Sequence, residues 1–465
     1  MSLLALSGTN SVSGGYDIDN SCKFEDDNDE YLYRTNASGT NRKTWTVSWW
    51  FKQTELPSTR SSYVEHWQGG VYGEATRAGI DSSDRLWIDI GGGDGNTGTL
   101  FRSLSTAKLR DTAAWYHVVI ACDSTQSTEA DRLKVWLNGV EATSWDQHQI
   151  PTLNFQSALQ GTGGVVMKWG SYDATYHGYS GYLAECNYVD GVTATQNDFG
   201  EFDDDSGIWK PKEYTGSYGT NGSYLDFEIA SDLGANAKGN DTNFSLNNIT
   251  AADQATDTPT NNFCTWSPLW VYATNRTISE GGTKLTGSSA WGGCKGSIGV
   301  TNGKWYWEHK ASGNDTIVGW QTDGDGNIAS GNAHNVLDTI GLYQDGNYIW
   351  IKDSTSGRND TSASGTNASG QIIGFALDLD SSPQTATFYR NGSAIASDVN
   401  IDGLTGKTLF PFIAQYNQNT EANFGGYTSF TISSAASDDN GYGTFEYAPP
   451  TSHFALCTKN LAEYG

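Results

Sequence analysis

The chain has 465 residues, with 27 Lys+Arg against 53 Asp+Glu and a formal net charge of −26. An acidic surface of that strength repels phosphate, which excludes nucleic-acid binding through the overall field. The 55 Gly, 17 Trp, 24 Tyr and 17 Phe, beside only 2 Met, exclude a disordered chain and a helical bundle, because aromatics build cores and bundles need other residues.

The opening MSLLALSGTN is apolar only briefly and lacks a basic stretch, so it reads as a poor secretory signal. No window reaches the roughly 18 apolar residues of a membrane span, and no membrane insertion is expected. FEDDNDE, from Phe24 to Glu30, reads as a turn between two strands. Trp45, Val47, Trp49 and Phe51 then alternate with Thr46, Ser48 and Lys52, a strand with one apolar face broken only by Trp50. Tyr116, Val118, Ile120 and Cys122 repeat the pattern. Leu133, Val135 and Leu137 run into Asn138-Gly139, a hairpin signal because both residues tolerate positive φ.

Ser231 to Asn262 is rich in Asn, Asp and Thr and poor in large apolar residues. It reads as a linker, and its length predicts one that drapes over a neighbouring domain. Beyond it Trp305, Trp307 and His309 alternate with Lys304, Tyr306 and Glu308. Phe375, Leu377 and Leu379 share a face, and Phe388 and Arg390 precede a second turn at Asn391-Gly392. No amphipathic helix of useful length is present. The predicted fold class is all-β: two antiparallel β-sandwich (jelly-roll) domains, residues 1–230 and 263–465, the second with a C-terminal extension, joined by an ordered irregular linker, 231–262.

The six cysteines, Cys22, Cys122, Cys186, Cys264, Cys294 and Cys457, lie 30 or more residues apart with no C-x-x-C pair. They predict buried free thiols and neither a disulfide framework nor a zinc site. No Ser/His/Asp set, phosphate loop or dinucleotide motif is visible. Asp323, Asp325 and Asn327 begin like an EF-hand loop, but Ile328 and His334 occupy the sixth and twelfth positions, so that reading fails. Asp203, Asp204 and Asp205 read as a solvated acidic turn.

Sugars bind flat aromatic faces flanked by hydrogen-bonding groups. Lys168–Tyr182 supplies such residues, and Tyr172, Asp173, Tyr176 and His177 are the candidate glycan contacts, with Asp94 and Asn96 of a Gly-rich loop as companions. Trp169 and Tyr179 in the same stretch have core-filling as their plain alternative.

WTVSWWFK (Trp45–Lys52), WYHVVIACD (Trp115–Asp123), LKVWLNGVEA (Leu133–Ala142) and SGYLAECNYVDG (Ser180–Gly191) resemble the laminin-G/concanavalin-like jelly roll over about residues 16–200. GKWYWEHK (Gly303–Lys310), IVGWQT (Ile317–Thr322), IGLYQDGN (Ile340–Asn347), IIGFALDLD…ATFYRNG (Ile372–Gly392) and LFPFIAQY…ANFG (Leu409–Gly425) resemble the SPRY domain over about 263–430. The pairing, with stretches such as GYDIDNS (Gly15–Ser21), NDFGEFDDDSGIWKPKEY (Asn197–Tyr214), DTPTNNFCTWSPL (Asp257–Leu269) and ALCTKNL (Ala455–Leu461), resembles a group of tailed-phage virion proteins.

The resemblance implies a virion-surface structural protein, attached to tail or capsid in multiple copies, with other virion proteins and a host surface glycan as partners. It also implies a SPRY-type partner-binding face, to which Trp291, Asp323, Asp325 and His334 in predicted loops are assigned. Concanavalin-like glucanases use alternating carboxylates on one strand. Glu25, Asp27 and Glu30 have acidic spacing, but polar Asp26, Asn28 and Asp29 between them deny the strand a buried face, so no enzyme is expected. Calcium is the one ion the laminin-G resemblance raises, without a specific motif; no other cofactor is expected. The competing readings are a purely structural head decoration or tail connector, and a polysaccharide-degrading enzyme.

Overall fold

The computed structural model describes residues 15–35, 41–57, 60–67, 75–92, 99–158, 166–170, 178–239, 242–272, 276–287, 289–323, 336–353 and 357–465. The chain divides after Thr260 into two units, Leu6–Thr260 and Asn261–Gly465. Each is an antiparallel β-sandwich, and the chain is all-β apart from 3-10 turns and one short helix, Thr458–Tyr464, among the described residues.

In the N-terminal unit the alternating stretch forms the strand Thr44–Gln53, central in a nine-stranded sheet between Tyr116–Asp123 and Gly181–Asp190. Val47, Trp49 and Phe51 point inward and meet Tyr63, Ile80, Ile88 and Trp169 of an eight-stranded sheet. Trp49 and Trp169 pack edge to face at 6.3 Å. Trp50, the residue that broke the alternation, lies on the opposite face and stacks on His117 at 4.6 Å. That face is also buried. Phe199, Tyr214, Tyr218 and Tyr224 from the following segment cluster with its Val119, Trp136 and Val189. The hairpin forms as expected, with φ 46° at Asn138 and 79° at Gly139. A Cβ at Gly139 would strike the Trp209 ring at 2.2 Å, so the position also needs a glycine for space.

The segment expected as a linker is instead built into the N-terminal unit as far as Thr260. Ser245–Asn247 pairs with Tyr31–Thr35, and Gln254–Ala255 pairs with Ser21–Phe24. Two of its acidic residues are pinned by buried lysines. Asp253 meets Lys23 at 2.9 Å, and Asp257 meets Lys52 at 2.7 Å and the Trp115 indole N–H at 2.9 Å. Polar composition read as linker; Asp253 and Asp257 each have a buried counter-charge, the condition under which charge tolerates burial.

In the C-terminal unit Trp305 and Trp307 of the strand Lys304–Ala311 pack with Phe375 and Phe388 against Val318, Trp320, Ile340 and Ile413 of a six-stranded sheet. Trp307 stacks on Phe375 at 4.5 Å. The C-terminal extension covers the outward face of the eight-stranded sheet in this unit, where Phe445, Ala455 and Cys457 meet Tyr306 and Ala376. Glu308, fully buried, holds it there by accepting the backbone N–H groups of Glu446 and Tyr447, each at 2.9 Å. All six cysteines are buried free thiols.

Candidate functional site

One sheet of the N-terminal unit has its outward face covered by the unit's own later segment, as described above. The other is the eight-stranded sheet, ordered Trp145–His148, Leu100–Lys108, Arg85–Gly91, Ala75–Asp81, Arg60–Trp67, Val166–Trp169, Tyr31–Thr35 and Ser245–Asn247. Its inward positions Ala78, Ile80, Leu86, Ile88, Ile90, Met167 and Leu32 fill the core. Period two sends the residues between them to the opposite face.

The register aligns those residues in one row: Arg102, Asp89 and Arg77 on neighbouring strands and, beyond the strand Arg60–Trp67, Lys168 and Tyr33. Arg102, Asp89 and Arg77 alternate in charge, the arrangement in which directly opposite cross-strand neighbours attract. Arg102 clasps Asp89 with two hydrogen bonds, Nε–Oδ1 at 2.7 Å and Nη2–Oδ2 at 2.8 Å. Arg77 Nε reaches Asp89 Oδ2 at 3.3 Å and its guanidinium lies over the Trp87 ring at 5.4 Å. Asp89, Arg77 and Trp87 are buried, while Arg102 retains 21% exposure. The other end of the row is aromatic. Lys168 Nζ sits over the Tyr31 ring at 4.8 Å, Tyr31 and Tyr33 are 5.8 Å apart, and Tyr33 is 37% exposed. Burial pushes the Tyr31 hydroxyl up, with Tyr33 and Asp29 acting in the same sense, so it stays a neutral hydrogen-bond donor.

Its accessible groups are the Arg102 guanidinium at one side and the Lys168 ammonium with the Tyr31 and Tyr33 phenol rings at the other, with Arg77, Asp89 and Trp87 buried between them. That set suits a polyhydroxylated ligand, whose C–H faces stack and whose hydroxyls need partners. Asp89 is the carboxylate at its centre among the residues whose side chains are described, and guanidinium groups already engage both of its oxygens.

Most of the residues singled out from sequence, namely Tyr172, Asp173, Tyr176, His177, Asp94, Asn96, Asp325 and His334, lie outside the described residues. The described flanks of the two glycan segments are at opposite ends of the sheet. Gly91 and Leu100 pair beside Ala75 and Trp67, whereas Gly170 donates to the carbonyl of Tyr63 and Gly178 lies against Asp26. Trp169 and Tyr179 took the core-filling alternative, at 0% and 1% exposure. Asp323 is exposed just past the strand Thr316–Thr322.

Trp291 requires a correction: it opens the strand Trp291–Lys295 and is not in a loop. Here Gly293 permits close strand approach, since a Cβ would meet the Ile413 carbonyl oxygen at 1.8 Å. The Trp291 ring is 6.1 Å from Tyr416 and 6.5 Å from Tyr343.

FEDDNDE forms the expected turn, with a 3-10 helix at Asp26–Asn28. Glu25 and Glu30 are buried, and Glu30 pairs with Lys23 at 3.0 Å. Asp203 caps its own turn by accepting from Ser206 N and Oγ. No cluster of metal-ligating side chains is present among the described residues.

Residues 26–184 match the concanavalin A-like lectin/glucanases superfamily. The lectin/glucanase-type match thus spans less than half the chain and includes every charged residue of the row. No curated protein sequence matches the chain. Among solved structures, the SPRY domain of human HERC1 is similar at 19% identity and TM-score 0.28, covering 34% of this chain and 96% of that one. The TRIM65 PSpry domain is similar at 16% and 0.27, covering 35% and 92%. A heptameric SAP-like pentraxin from Limulus polyphemus is similar at 16% and 0.29, covering 39% and 82%.

Sequence reading missed Arg77, Asp89, Arg102, Lys168, Tyr31 and Tyr33 as a group. A weak signal existed in single charges at every second position of otherwise apolar strands, as in RAGI and WIDI.

Proposed function

We propose that this protein is a non-enzymatic binding module that recognises host surface glycan through the outward face of its lectin/glucanase-type unit. The observation that carries this reading is the Arg102–Asp89–Arg77 row running out to Lys168, Tyr31 and Tyr33. It supplies donors and aromatic faces, and its described central carboxylate is already bound between two arginines. The resemblance to tailed-phage proteins supports a place on the virion surface, attached to tail or capsid and displayed in many copies. Weak single sites then act together through avidity.

The test of location is mass spectrometry of purified virions followed by antibody labelling. Surface labelling supports the reading; absence of the chain from particles contradicts the virion role and leaves glycan binding to be judged by direct titration.

A second reading, a head decoration or tail connector, is favoured by the partly exposed aromatics Trp291, Tyr343 and Tyr416 on the six-stranded sheet of the C-terminal unit. A virion density map separates the two: these rings buried against another protein indicate docking.

A further inference from the structure

The C-terminal unit carries a cleft of about 330 Å³, lined by Lys284, Lys310, Ser312, Ser369, Asn419 and Glu421. Its volume lies at the lower end of the roughly 300–1,000 Å³ of small-molecule sites. Three strands build one wall, and the register places Glu421 directly between Lys284 and Lys310. The middle carboxylate does not bind its neighbours. Glu421 Oε1 accepts from Ser429 Oγ at 3.0 Å, and Lys310 Nζ lies over the Phe430 ring at 5.5 Å, in the field of Glu446. Among the described residues neither Lys284 nor Lys310 forms an ion pair. In a chain of net charge −26, this cleft sets two ammonium groups against the single carboxylate of its lining, with Glu446 beside Lys310. Around them Asn419, Ser312, Ser369 and Glu421 supply hydroxyl and amide partners, and Ala311 and Gly370 supply small apolar contact surface.

We propose that this cleft binds a small polyhydroxylated carboxylate, an acidic sugar residue, with Lys284 and Lys310 holding the carboxylate and Glu421, Asn419 and Ser312 meeting hydroxyls. Glu421 also sets selectivity, because it disfavours dianions more than a single carboxylate. The inference does not depend on the glycan face of the N-terminal unit.

The experiment is calorimetric titration of the full chain with glucuronate, glucose and inorganic phosphate. The wild type, K284M, K310M, K284M/K310M and E421Q are compared, each checked for native folding by thermal unfolding; methionine keeps the buried alkyl stem of each lysine. The expected result is millimolar binding of glucuronate that weakens with added salt, at least a fivefold loss in each single lysine variant, no measurable binding in the double variant, and no glucose binding. E421Q should bind phosphate more tightly than the wild type. Equal binding of glucose and glucuronate, phosphate binding as tight as glucuronate in the wild type, unchanged binding by the double variant, or no glucuronate binding would each overturn the proposal.

Discussion

The indole N–H of Trp209 donates to Nδ1 of His117 at 3.0 Å, joining the segment that covers the nine-stranded sheet to the sheet itself. The bond fixes the imidazole tautomer. With Nδ1 accepting, Nε2 carries the hydrogen and donates to Ser48 Oγ at 2.8 Å. A Ser/His pair within hydrogen-bond reach would suggest nucleophilic catalysis, but a base must accept the serine proton, and this nitrogen donates. The pair is structural.

Burial drives the His117 pKa down to about 3. The folded state therefore binds fewer protons than the unfolded state between about pH 3 and 6.5. Its contribution is complete above 6.5 and is lost as pH falls through that window, by up to about 1.4 kcal/mol per pH unit. The His117 ring resonances should show no titration above pH 5 by NMR. W209F should lower stability by about 1–3 kcal/mol through the orphaned buried nitrogen, measured by urea unfolding at pH 7.

Glu185 acts in the opposite direction. It sits at a bulge with φ 51°, and the hydroxyls of Tyr224 and Tyr16 donate to it at 2.6 and 3.2 Å. Burial raises its pKa to about 7, outweighing those hydrogen bonds. The folded state binds the extra proton between about 4.5 and 7, so stability declines as pH rises across that range. E185Q stays neutral and should flatten this decline. Because His117 and Glu185 oppose each other between about 4.5 and 6.5, the check is the difference between E185Q and wild-type unfolding curves at several pH values.

The Arg102–Asp89–Arg77 row predicts a marked asymmetry. D89N takes the Asp89 carboxylate away from the buried Arg77 guanidinium and should destabilise by about 3–5 kcal/mol. R102Q removes a partly exposed partner and should cost less. Urea denaturation of both variants tests the order; equal or reversed losses would contradict the assignment of Asp89 as the buried hub.

Glu308 predicts a local effect. E308A orphans the backbone N–H groups of Glu446 and Tyr447 and the amide of Asn423, each worth roughly 1–3 kcal/mol when buried. Hydrogen exchange should accelerate in the C-terminal extension well before it does in the strand Ile372–Asp378.

The sequence showed the sandwich strands clearly wherever local pattern and local structure coincide. Trp45 to Phe51 and the Asn138-Gly139 turn are local signals and formed as read. Lys23 with Asp253, and Lys52 with Asp257, are more than 200 residues apart, so the polar segment containing both aspartates looked like linker. The charged row was hidden for the same reason. Its members come from separate strands, and only register brings opposite charges together. Trp50 shows a further limit, since one-faced alternation cannot reveal that a later segment will bury the second face.

The central claim, glycan recognition without hydrolysis at the Tyr33–Arg102 face, is tested most directly by titrating the full chain with surface polysaccharide from host cells while assaying reducing ends. The account predicts saturable binding, at least tenfold weaker in Y31A/Y33A with unfolding behaviour unchanged, and no increase in reducing ends. Binding indifferent to Y31A/Y33A, or reducing ends released over time, would contradict it.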